Sequence, residues 1–120
     1  MQRDNVSIAK IPAGTKIKYA IGTANMNKYD ILEGKLIAIN AYIDTMHLES
    51  DATMEYLKQY KEYIKELISA IQNRTIRNSN GAMMGLVRGI SDYDELCSDD
   101  TFWQLVIDAD NYYSNECQSF

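Results

Sequence analysis

Two runs of apolar residues at alternating steps of three and four decide most of what this chain can fold into. Tyr29, Leu32, Leu36, Ile39, Ile43 and Met46 form the first, and Leu57, Tyr60, Ile64, Leu67 and Ile71 the second. That spacing brings a side chain back to one face of an α-helix on every turn, so each run specifies a helix with one seam to bury. His47-Leu48-Glu49-Ser50-Asp51 interrupts the period, and Ser50 or Asp51 suits the N-cap of the second helix. A connection this short predicts a long antiparallel αα-hairpin over residues 25–74, with a single kinked helix as the alternative.

The flanking segments read differently. Val6–Ile11 is apolar-rich, Pro12-Ala13-Gly14-Thr15 has turn chemistry, and Ile17, Tyr19 and Ile21 alternate with Lys16 and Lys18. This pattern predicts a β-hairpin over residues 1–22, which must lie on the helices or pair with another copy. Residues 75–90 hold the loop or cap sequence Asn78-Ser79-Asn80-Gly81 and a short apolar run. In the acidic region 91–116, Ser91 or Ser98 can cap a helix whose stripe is Phe102, Leu105, Val106, Ala109 and Tyr113. The expected fold class is therefore α+β, predominantly helical: an N-terminal β-hairpin, the helical hairpin, and a C-terminal acidic helix. A chain of 120 residues is expected to form one domain.

Charge is divided along the chain. Residues 1–88 carry 12 Lys or Arg against nine Asp or Glu, whereas residues 89–120 carry eight acids and no base. The resulting charges, +3 and −8, shape the field and so the choice of partner. An acidic chain with three arginines between Glu66 and Asp92 lacks the basic stripe that nucleic acid requires, and membrane-surface binding fails for the same reason. No apolar run approaches the ~20 residues that span a bilayer. The first residues lack the apolar core of a signal peptide, and Cys97 and Cys117 fit free thiols, so a cytoplasmic location is expected. A bias towards Ile, Asn, Tyr and Lys suggests an A/T-rich coding source, such as a low-GC bacterium or its phages.

Chemical motifs fail one by one. His47 is the only histidine and has no nucleophile paired with it. Counted from Asp92, a calcium loop needs glycine sixth and glutamate twelfth, but Cys97 and Trp103 stand there. Gly81-Ala82-Met83-Met84-Gly85 lacks the lysine of a phosphate-binding loop. Glu62 and Glu66 sit among Lys58, Lys61 and Lys65, which suits a charged solvent face with Glu55–Lys58 and Glu62–Lys65 pairs. No enzyme, metal or cofactor is expected.

Two binding functions remain. The first is a phage- or mobile-element-type inhibitor or adaptor, for example in counter-defence, that captures a host protein with a basic surface. Its contact residues would be Asp92, Asp94, Asp99 and Asp100 with the aromatic anchors Phe102, Trp103, Tyr112 and Tyr113. The second is a homo-oligomeric small-molecule binder that sequesters an anionic, nucleotide-like ligand. Arg74, Arg77, Asn78, Asn80 and Arg88 would hold it, with tyrosines to stack on its base. The competing explanation for those arginines is a helix C-terminus that welcomes positive charge. Ile31, Ile37 and Ile68 lie off the seams and predict a homo-oligomer, most simply a dimer.

Overall fold

A computed structural model describes residues 27–120, which form five α-helices and no strand. The α+β class expected from the sequence is thereby corrected to an all-helical one for the described residues. The β-hairpin expected over residues 1–22 lies outside them.

Helix α1 spans Lys28–Ile43 and α2 spans Asp51–Gln72. Residues 44–50 separate them, so the break is a true connection. Asn27 caps α1 by accepting from the Asp30 N–H, and the Ser50 hydroxyl caps α2 by accepting from the Thr53 N–H. The pair is antiparallel: Gln72 meets Glu33 at one end, and Lys61 meets Asp44 towards the other. The seam residues Leu32, Leu36, Ile39, Ile43, Leu57, Tyr60, Ile64 and Ile71 are buried together.

Helix α5, Asp100–Glu116, closes the bundle on the other side of α1. It also runs antiparallel to α1, because Tyr42 reaches Asp99, Lys35 reaches Asp108 and Lys28 reaches the Ser119 carbonyl. Phe102, Val106, Ala109 and Tyr113 supply its buried stripe. Its cap is Asp99, which accepts from the Phe102 N–H at 3.0 Å, rather than Ser91 or Ser98. Those serines end two short helices that the spacing did not disclose, α3 (Leu86–Ile90) and α4 (Asp94–Cys97).

Between α2 and α5 lies an irregular strap, residues 74–85, that continues into α3. Its start is a Schellman-type stop to α2: Thr75 N–H donates to the Ala70 carbonyl and Arg74 N–H to that of Ile71. Ser79–Ala82 then makes a turn closed by Ala82 N–H on the Ser79 carbonyl, with Asn80 and Gly81 both at positive φ (51° and 87°). Asn-Gly is the pair best suited to two left-handed positions in a row.

Candidate functional site

Four tyrosine hydroxyls grip the strap and α3 by their backbone carbonyls. From α2, Tyr56 donates to Gly89, Tyr60 to Leu86 at 2.8 Å and Tyr63 to Met84 at 2.7 Å. From α5, Tyr113 donates to Arg77 at 2.8 Å. A segment without its own ladder needs such partners, because a buried carbonyl left unpaired costs free energy. Tyr56, Tyr60 and Tyr63 recur at helical spacing, so one face of α2 delivers all three. Their pKa values are raised, chiefly by burial; for Tyr60 and Tyr63 the Asp110 charge adds to it. These four tyrosines are thus bound to the protein's own backbone.

The second grip is a carboxylate. Asp110 is fully buried, and accepts from the N–H groups of Met84 (3.1 Å), Leu86 (3.3 Å) and Val87 (2.8 Å). An anion therefore does sit among the backbone donors that open α3, but it is the chain's own. Three of the backbone donors in residues 74–88, where an anionic ligand was expected, are thus taken by Asp110. The Arg74 guanidinium donates to the Ile71 carbonyl and lies 4.0 Å from the centre of the Tyr29 ring. Asn78 accepts from the Phe120 N–H, and Asn80 serves the turn. Arg77 and Arg88 are exposed. Arg74 stands just past the C-terminus of α2, whereas Arg88 precedes Gly89 beside Tyr56, 18 helical positions back; at 1.5 Å per residue that is roughly 25 Å. The five residues do not share one site.

The acidic segment divides into two groups. Glu95, Asp99, Asp108 and Asp110 serve the fold. Glu95 accepts from the N–H groups of Glu49 and Ser50 at 3.0 and 3.3 Å, tying α4 to the α1–α2 connection. Asp99 caps α5 and accepts the Tyr42 hydroxyl at 2.8 Å, a hydrogen bond that is the main cause of the raised Tyr42 pKa. Asp108 pairs with Lys35 at 2.6 Å. Asp92, Asp94 and Asp100 are exposed, and the Glu95 contacts bring exposed Glu49 and Asp51 to the same end of the bundle. The sequence reading missed those two acids, which lie more than 40 positions away along the chain.

The aromatic anchors are redistributed as well. Phe102, expected as a surface contact, is fully buried and Tyr113 nearly so, and both belong to the stripe that closes the core. Trp103 and Tyr112 are half-buried. They are nine residues apart on α5, which at about 100° per residue sets them on opposite flanks of that stripe. Tyr112 lies towards Lys35, whose ammonium is 5.3 Å from its ring centre. Trp103 stays at the acidic end, one turn after Asp100. Tyr93, unassigned in the sequence reading, joins that end between Asp92 and Asp94 and stacks on Tyr56 with ring centres 4.3 Å apart.

Among the described residues no group of three or more His, Cys, Asp or Glu side chains could hold a metal ion, and no helix is long and apolar enough to cross a membrane. No protein-family model, no curated protein and no solved structure matches the chain.

Proposed function

We propose that the protein is a non-catalytic binding protein, an inhibitor or adaptor, that captures a protein partner bearing a basic surface. One observation carries this reading: Glu49, Asp51, Asp92, Asp94 and Asp100 stand exposed at one end of the bundle, with Tyr93 and Trp103 half-buried at that end. Charge at the rim of an interface speeds encounter, and a desolvated aromatic supplies the lock. Part of this charge also has a purely structural use, because Asp51 and Asp100 lie in the first turns of α2 and α5. Asp92 and Asp94 lie outside the long helices, and that explanation does not cover Asp92.

The test is charge reversal confined to exposed acids whose side chains bond to nothing else in the fold. Asp92→Lys, Asp94→Lys and Asp100→Lys together should abolish affinity capture of the partner and leave the thermal midpoint within a few degrees of wild type. Capture should also weaken as salt rises to ~0.5 M, where charges more than a few ångströms apart are screened. A partner retained equally by the reversed protein would refute the reading. Asp99 is left out of the variant because its loss would uncap α5 and release Tyr42.

A further inference from the structure

Two of the three exposed large apolar side chains among the described residues, Met83 (54%) and Tyr63 (40%), meet where the strap crosses from α5 to α2. The crossing is at Met84, whose N–H donates to Asp110 and whose carbonyl accepts the Tyr63 hydroxyl. Met83 precedes it in a stretch, residues 78–87, that contains no charge. On α5, Ile107 and Trp103 stand one and two turns before Asp110, so both share the flank that Asp110 turns to the strap. Both are half-buried, as is Val87, whose N–H also donates to Asp110. Tyr63, Met83, Val87, Ile107 and Trp103 thus belong to one apolar face, which runs roughly 10 Å along α5 from Trp103 to Asp110. The contacts with α1 lie on the opposite sides of the same helices. Lys61, two positions before Tyr63, reaches Asp44, and Asp108, two before Asp110, reaches Lys35.

We infer that this face receives a basic amphipathic helix of the partner. The inference rests on the acidic-end reading above and supplies the apolar half of the same interface. Charge is the first argument. The face begins at the acidic end, because Trp103 follows Asp100 by one turn and Asp92 and Asp94 follow α3. Glu66 adds an acid near Tyr63, whose pKa is raised by burial and then by the Asp110 and Glu66 charges. Against these acids stand Arg88 on α3 and Arg77 at the far end of the strap. The lysines of α2 are turned away: Lys58 and Lys65 lie three and four positions from Lys61, on the α1 side. Area is the second argument. A strip one helix wide and about two turns long is far below the ~800 Å² per partner that two folded bodies bury. It suits the apolar face of a single helix, read at steps of three and four, with lysines or arginines beside it to meet the acids. A second copy is disfavoured because a two-fold contact would set this acidic margin against itself.

The experiment uses Trp103, the single tryptophan, as a fluorescent reporter in the full chain. The probe is a synthetic peptide of leucine and lysine, about four helical turns long, with leucine on one face. Its control has the same composition in an order that leaves no apolar face. The expected result is a saturable blue shift of Trp103 emission with the patterned peptide, and binding of the control at least about tenfold weaker. Met83→Asp should weaken binding of the patterned peptide about tenfold, with the thermal midpoint within a few degrees of wild type. Ile107→Gln is a second variant on the same face should Met83→Asp disturb the strap. Equal binding of the two peptides, or of both variants and wild type, would overturn the inference and leave the acidic-end reading standing, since charge alone would then suffice. Binding lost with Met83→Asp but untouched by Asp92→Lys, Asp94→Lys and Asp100→Lys would support the apolar face and refute the acidic-end reading instead. A blue shift that grows with protein concentration before any peptide is added would overturn the inference too, because a second copy would then cover the face.

Discussion

Two buried polar side chains show how differently the same fold can treat such a group. Asp110 on α5 is matched by three backbone N–H donors, so truncating it would strand all three in the interior. Asp110→Ala should therefore cost about 3 kcal/mol, read from the shift in denaturant midpoint at unchanged slope. Asn40 on α1 has only a 3.3 Å contact from its amide nitrogen to the Lys61 carbonyl, and its buried Oδ1 has no partner. Replacing Asn40 by leucine should be neutral or stabilise the protein by up to ~1 kcal/mol in the same measurement. A loss of several kcal/mol in that variant would mean that Oδ1 is satisfied after all. Gly89 gives a third case: a Cβ there would come within 2.9 Å of the Tyr60 ring, which is fixed through its hydroxyl to Leu86. Gly89→Ala should cost ~1–3 kcal/mol through this overlap.

At the scale of the element, the strap is the part whose stability depends on hydroxyl chemistry. The folded state holds the Tyr60 pKa above its ordinary value near 10, by burial first and the Asp110 charge second. A phenol with a higher pKa in the fold than in the unfolded chain contributes stability that is fully present below the unfolded value. That contribution is lost as pH rises through the folded value. Denaturant midpoints should thus hold steady on this account up to about pH 9 and fall above about pH 10. Tyr60→Phe should be less stable at neutral pH, by about 1 kcal/mol, with a shallower alkaline decline. An equally steep decline in that variant would assign the effect to other groups. The strap also marks the limit of what could be read from the sequence. Period 3.6 exposed the seams of α1, α2 and α5, and the local Glu55–Lys58 and Glu62–Lys65 pairs both form. It could not reveal α3 and α4, which at five and four residues are too short to show a period. The signals that were available were a charged Asp110 on an otherwise apolar helix face, and Tyr56, Tyr60 and Tyr63 at steps of four and three. Both point to a segment that must be held by its backbone, and neither says which segment, because that is set by tertiary contact.

For the whole molecule, antiparallel packing turns a division of charge along the chain into one in space. The C-terminus of α1 and the N-termini of α2 and α5 meet at one end, where Glu49, Asp51, Asp92, Asp94 and Asp100 are exposed. Lys28, Arg74 and Arg77 lie towards the other end, with Phe120 stacked on Tyr29 at 4.4 Å. The sequence pointed to an acidic tail. The fold withdraws half of that tail's carboxylates into structural duties and adds two acids from the α1–α2 connection. A protein with this field should approach a basic partner acidic end first. Zero-length carbodiimide coupling tests that most directly, since it joins a carboxylate to a lysine only when the two are in contact. Mass spectrometry of the coupled complex should find the partner's lysines attached to Asp92, Asp94, Asp100, Glu49 or Asp51. Attachment confined to Glu55, Glu62 and Glu66 on the outer face of α2 would contradict the account.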